Sequence, residues 1–116
     1  MNAEIHIPTI DLSSESRYFQ TIDKEEHVYL GHVSSAMLED DRTIYIAYPK
    51  SHGKGAVVLR RSGDGGKTWS ERLPVPDSWA SSFECPILYR TADRDGGRHL
   101  LLFSGLRPLR MSHSED

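Results

Sequence analysis

Apolar residues along this chain recur at every second position in short runs, and turn-forming residues interrupt them every few positions. A period of two predicts β-strands, so no helix longer than two turns is expected. The clearest runs are 33–38, 43–48 and 56–60, then 85–89, 99–103 and 109–112. Residues 17–22 alternate Tyr18, Gln20 and Ile22 with Arg17, Phe19 and Thr21, which predicts a strand outside the first group. Residues 68–73, from Thr68 to Leu73, predict a fourth strand for that group. Charged turns separate the runs: Asp23-Lys24-Glu25-Glu26, Glu39-Asp40-Asp41-Arg42 and Asp93-Arg94-Asp95-Gly96-Gly97. Before residue 17, Ile5, Ile7, Ile10 and Leu12 are scattered among polar positions, as in an irregular lead-in.

The most informative stretch is Ser62-Gly63-Asp64-Gly65-Gly66-Lys67-Thr68-Trp69, flanked by strand-like segments. Ser62 and Asp64 carry short oxygen acceptors able to take N–H groups that a tight turn leaves unpaired. Gly65 and Gly66 can adopt positive φ without a Cβ clash. Trp69 offers a large apolar face to bury. In this order the residues resemble the Asp box, Ser-x-Asp-x-Gly-x-Thr-Trp, of the sialidase-like (neuraminidase) β-propellers, matching at Ser62, Asp64, Gly66, Thr68 and Trp69. The resemblance implies that Asp64 braces a turn on the side of the propeller away from the active site. The same box occurs in non-sialidase propellers, so it speaks for a fold more than for a reaction.

Ser114-Glu115-Asp116 repeats the opening Ser-x-Asp 52 positions after Ser62, following an equivalent succession of strands. Repeats of about 20–50 residues mark arrays and propellers. The resemblance therefore implies an all-β chain holding about one and three-quarter blades of a sialidase-type propeller, which has six. Residues 1–26 are the lead-in with a candidate ring-closing strand, 27–73 the first blade with its box at 62–69, 74–84 a connection, and 85–116 a truncated second blade. The remaining blades are expected in a parent protein.

Composition narrows the partners. A formal net charge of -3 over 116 residues leaves no basic footprint for nucleic acid. No apolar run approaches the roughly 20 residues of a membrane-spanning helix. The first residues have neither a basic region nor an apolar core, so no signal peptide is visible and the compartment stays open, although the family is often secreted or periplasmic. A single cysteine, Cys85, excludes an internal disulfide and reads as a small buried hydrophobe. No His/Cys/Asp spacing suggests a metal, and no cofactor is expected.

If the 62–69 turn marks one end of the fold, strand alternation gathers other residues at the opposite end. These are His32 at the start of the first strand, Lys50, His52 and Lys54 in the 49–55 loop, Trp79, Phe83 and Glu84 in the connection, and Arg107 in the equivalent loop of the second blade. Cationic groups around a mouth suit an anionic sugar. His32, Lys50, His52, Lys54, Glu84 and Arg107 are accordingly the candidate substrate-binding residues, with Glu84 the candidate catalytic carboxylate.

Two positions depart from the family pattern. The Arg-Ile-Pro that opens a sialidase first blade, whose arginine grips the sugar carboxylate, is His32-Val33-Ser34 here. The loop expected to carry an acid/base aspartate reads Pro49-Lys50-Ser51-His52-Gly53-Lys54-Gly55. The resemblance thus implies a fragment of a glycoside hydrolase acting on acidic sugars, with altered site residues and inactive alone. The second reading is a non-catalytic propeller that binds glycans or proteins.

Overall fold

The computed structural model describes residues 7–114. Six strands form two antiparallel three-stranded sheets. The first sheet joins β1 (Ser34–Met37), β2 (Ile44–Pro49) and β3 (Val57–Ser62) in that order; the second joins β4 (Ile87–Ala92), β5 (Arg98–Ser104) and β6 (Arg110–Ser114). The only helices among the described residues are single 3-10 turns at Ser16–Tyr18 and Asp77–Ala80. None is long and apolar enough to cross a membrane. The chain is thus all-β, as the period-two pattern predicts.

The alternation of side chains in β2 and β3 explains why the first sheet is buried on both faces. Ala36, Ala47 and Val57 face the second sheet and pack with Leu88, Leu102 and Trp79. Ile46, Tyr48 and Val58 face the other way, where Ile22, Leu30, Ile44 and Trp69 cover them. Successive residues of a strand point to opposite faces, so both cores draw on the same strands. Trp79 is the wedge between the sheets: it is buried, and its indole N–H donates to Ser112 Oγ at 2.8 Å.

The sheets also meet edge to edge. Leu88 N–H donates to Ser34 Oγ at 2.9 Å, and the Arg90 guanidinium donates to the Met37 carbonyl at 2.6 Å. The contacts therefore advance in the same sense along both strands, from Ser34 with Leu88 to Met37 with Arg90. The far face of the second sheet leaves Ile87, Tyr89 and Met111 exposed.

Two expected elements differ. Residues 17–22 form no strand. The 3-10 turn occupies Ser16–Tyr18, Tyr18 and Phe19 are exposed, and the following residues cross a sheet face instead of joining an edge. The edges of the first sheet, which this segment crosses, are taken: β1 lies against β4, while Ser70 N–H and Leu73 N–H donate to the Arg61 and Leu59 carbonyls of β3 at 2.8 and 2.9 Å. Residues 68–73 in turn follow β3 through those two backbone bonds, with Arg61 N–H donating to Ser70 Oγ at 3.0 Å and the Arg60 guanidinium to the Ser70 carbonyl at 2.8 Å, and are not a regular strand. Residues 28–33 lead into β1 without strand pairing. The second Ser-x-Asp lies partly outside the described residues, since only Ser114 of the three is described.

The segment before β1 is pinned by charge. Asp23 binds Arg60 at 3.1 Å and Arg72 at 2.8 Å and accepts the Tyr48 hydroxyl; Glu25 binds Arg72 at 2.6 Å and Lys50 at 3.1 Å. Burial works against the Asp23 carboxylate, but bonds from Arg72 and Tyr48 and the charge of Arg60 outweigh it and hold its pKa at about 2. Burial, reinforced by Asp23, pushes Tyr48 up to about 12.

Candidate functional site

The two ends of β3 carry different chemistry. Ser62 pairs with Ile44 at one end, and Val57 pairs with Pro49 at the other. At about 3.3 Å per residue the six-residue strand separates them by roughly 17 Å. The 62–69 turn follows the first end, and the 50–56 loop adjoins the second.

The turn is an acceptor-centred knot. Asp64 Oδ1 accepts the N–H groups of Lys67 and Thr68 at 3.0 and 2.9 Å and the Ser62 hydroxyl at 2.8 Å, while Oδ2 accepts the Thr68 hydroxyl at 2.5 Å. Ser62 is buried, and its Oγ also accepts Gly66 N–H at 2.9 Å. The Thr68 hydroxyl and amide, with Ser62, hold Asp64 well below the usual carboxylate range, at about 2. Gly66 has a φ of 87°, in the left-handed region, so its glycine is favoured by conformation; a Cβ there would meet Ile44 and Trp69 only at ordinary contact distance, 3.7 and 3.8 Å. Trp69 is half-buried rather than deeply buried, because its indole N–H reaches back to the Gly66 carbonyl at 3.1 Å and keeps one ring edge at the surface.

At the opposite end, three segments converge on one serine. Buried Ser82 offers its carbonyl to Gly55 N–H at 2.9 Å. Its Oγ donates to the Glu84 carbonyl at 2.6 Å and accepts Gly105 N–H at 3.0 Å. The loop between β2 and β3, the segment before β4 and the turn after β5 are thereby joined. Arg110 supports the same segment by donating to the carbonyls of Ser78 and Ser81.

On this frame His32 and His52 come together. Nε2 of His32 lies 3.4 Å from Nδ1 of His52, with the rings edge to face and their centroids 4.6 Å apart. Tyr29 touches both rings, at 6.1 Å from His32 and 5.3 Å from His52. Both histidines are exposed, and His32 has a φ of 56°, in the left-handed region that residues with a Cβ rarely enter.

The other candidates are placed differently. Lys50 is drawn to Glu25 and joins the ion pairs of Asp23, Arg60 and Arg72. Lys54, Glu84 and Arg107 are exposed on the convergent segments. Phe83 is exposed as well. Cys85 is half-buried, not fully buried as its sequence context suggests, since its sulfur sits under the loop, 3.8 Å from where a Gly53 Cβ would lie. Sequence reasoning missed Tyr29 and Ser82. Nothing in a Ser81-Ser82 pair announces a hub, whereas Tyr29, three residues before His32, is recognisable once the positive φ at His32 turns the chain back. Among the described residues no three His, Cys, Asp or Glu side chains assemble into a metal-holding group.

Compared with known proteins, the chain matches no family model, no curated protein and no solved structure.

Proposed function

We propose that this chain is part of a sialidase-type β-propeller, from a protein of the glycoside-hydrolase class, whose loop end binds an acidic glycan. The observation that carries the reading is the bonding of the 62–69 turn. Ser62, Asp64, Gly66, Thr68 and Trp69 each have the role an Asp box assigns them: Asp64 and Ser62 as acceptors, Gly66 as the positive-φ position, Thr68 as donor and Trp69 as cover for the core. The side-by-side, same-direction course of β1 and β4 supports it, because innermost strands of neighbouring blades are related in that way. The 70–73 stretch along β3 supplies the outer element such a blade needs.

In this reading the ligand lies across the convergent loops, far from Asp64. His32, His52, Lys54 and Arg107 are the donors to an anionic sugar. Hydrolysis of a glycosidic bond normally takes two placed carboxylates. Among the candidates only Glu84 is one, while Asp23 and Glu25 are committed to arginines. The chain on its own is therefore a binder without turnover. The same concentration of donors favours the second reading, a non-catalytic propeller for glycans or proteins.

Two measurements on the purified chain test this. Saturation-transfer NMR against sialic and uronic acids is expected to show contact, weakened in a His32→Ala, Lys54→Ala double variant. A sialidase and uronidase assay is expected to show no hydrolysis. Turnover abolished by Glu84→Gln overturns the non-catalytic assignment, and absence of contact with any acidic sugar overturns the glycan reading.

A further inference from the structure

We propose that His32 and His52 form an acid-gated oxyanion subsite: two imidazoles that satisfy one another near neutral pH and, once protonated, take a carboxylate between them. The identity of that carboxylate, as part of an acidic sugar, rests on the function proposed above. The gating belongs to the pair itself.

The argument starts from the contact. With Nε2 and Nδ1 3.4 Å apart, one ring N–H faces the other ring's nitrogen. That contact needs at least one neutral ring, because an imidazolium has donors only. Protonating both rings removes the acceptor and sets two like charges against each other, while leaving two N–H groups free to donate. A carboxylate has two oxygens with which to receive them, and charge-assisted bonds of this kind are the strong ones.

The surroundings offer no substitute anion. Among the described residues, the histidine–carboxylate ion pairs are His27 with Glu26 and His99 with Asp93, and no carboxylate comes within 4.0 Å of His32 or His52. The titratable and charged groups on the segments that carry the pair or adjoin its loop come from three stretches. Tyr29 approaches from the chain leading into β1 and touches both rings. Lys50 and Lys54 share the loop of His52, and Lys50 is already bound to Glu25. From the segment before β4, Cys85 lies beneath Gly53, and exposed Glu84 precedes it. The other charged residue of the loop, Lys54, is exposed and positive and adds to the attraction for an anion.

The pair is also built and not incidental to two mobile side chains. His32 holds a left-handed backbone conformation, which is costly for a residue with a Cβ and persists where the surroundings impose it. The loop of His52 is tied down by Gly55 N–H to the Ser82 carbonyl. Histidine is the side chain whose charge changes under mild acidification, so the subsite switches from self-paired to anion-binding in that range.

Imidazole-detected NMR on the whole chain tests the proposal, with acetate and then glucuronate as probes. In the native chain the through-space contact between the two rings is expected to be present at about pH 7.5 and to be lost at about pH 5.5. Acetate is expected to shift both ring signals at about pH 5.5 and to bind at least about tenfold more weakly at about pH 7.5. In His52→Asn, an exposed position whose replacement leaves the cores intact, the pH contrast in acetate binding is expected to disappear. A ring–ring contact that persists unchanged at both pH values, or acetate binding equally at both, overturns the gate. Gated acetate binding with no glucuronate binding upholds the gate and overturns the acidic-glycan reading instead. Glucuronate binding that ignores both pH and His52→Asn overturns the gate and upholds the glycan reading.

Discussion

Ser34 Oγ accepts the Leu88 N–H at 2.9 Å, joining the first residue of β1 to the second residue of β4 across 54 positions of sequence. A hydroxyl here does what a backbone carbonyl does within a sheet, and it sets the two sheets in register. Ser34→Ala removes the acceptor and leaves a donor beside the core with no partner. The expected cost is about 1–3 kcal/mol. Denaturant unfolding measures it, and hydrogen exchange at the Leu88 amide should accelerate by more than at Leu102 in the strand interior. Equal exchange at both amides would show that the sheets are registered by packing alone.

The Ser62–Trp69 turn gives a second expectation. Ser62 is buried and its hydroxyl serves both Asp64 and the Gly66 N–H. Ser62→Ala should lower stability by about 1–3 kcal/mol, since it strands a turn donor. Asp64→Asn keeps the shape but lacks one acceptor oxygen, so it should lower Tm while leaving far-ultraviolet circular dichroism unchanged. A Tm identical to the native value in both variants would mean that the knot contributes nothing to stability.

Acid sensitivity follows from the carboxylates. Asp23, Asp40 and Asp64 have folded-state pKa values lowered to about 2 from 3.8. Asp23 is opposed by burial but held down by Arg72, Tyr48 and Arg60; Asp40 is held by the Thr43 hydroxyl and amide; Asp64 is held by Thr68. Depressed values mean that the unfolded chain takes up protons first as the pH falls. The stabilisation is therefore fully present above the unfolded value near 4 and is lost between about pH 4 and pH 2. Tm should be flat on this account from neutrality to about pH 5 and then fall steeply. Asp23→Ala should flatten part of that fall and, by leaving Arg60 and Arg72 without their counter-charge, cost about 3–5 kcal/mol at neutral pH. Thermal melts of both chains across that range are the check.

How far the sequence could be read depended on whether a segment's fate was local. Alternation in Ile44–Pro49 and Val57–Ser62 is a local property, and both strands stand within a residue or two of where it puts them. The Asp64 knot is local too, with all its partners within four residues. Residues 17–22 alternate just as well, but a strand also needs an open edge, and β1 and β3 have already given theirs to β4 and to residues 70–73. Lys50 shows the same limit at the loop end. Its loop suggests a place beside His52, yet Glu25, from a turn 25 positions earlier, draws its ammonium into the Arg72 network. The meeting of His32 with His52 was legible from strand direction, whereas Tyr29 beside them depended on a backbone angle that composition does not reveal.

Ser82 offers the last expectation, because it ties the candidate site together without facing a ligand. Its Oγ accepts Gly105 N–H at 3.0 Å in a buried setting and donates to the Glu84 carbonyl, while its carbonyl holds Gly55. Ser82→Ala keeps the carbonyl but leaves the Gly105 amide buried without its acceptor, at an expected cost of about 1–3 kcal/mol. The consequence should be directional: exchange at Gly105 and at the Glu84 amide quickens, while exchange at Gly65, whose N–H donates to Arg42 at the far end of β3, stays as it was. The His32–His52 contact depends on the same loop, so the through-space contact between the two imidazoles should weaken with it. Ser82→Thr restores the hydroxyl and should recover most of the Gly105 protection where the added methyl fits. Uniform quickening at both ends of β3 in Ser82→Ala would mean that the variant lowers global stability and that the serine does not organise the loop end in particular.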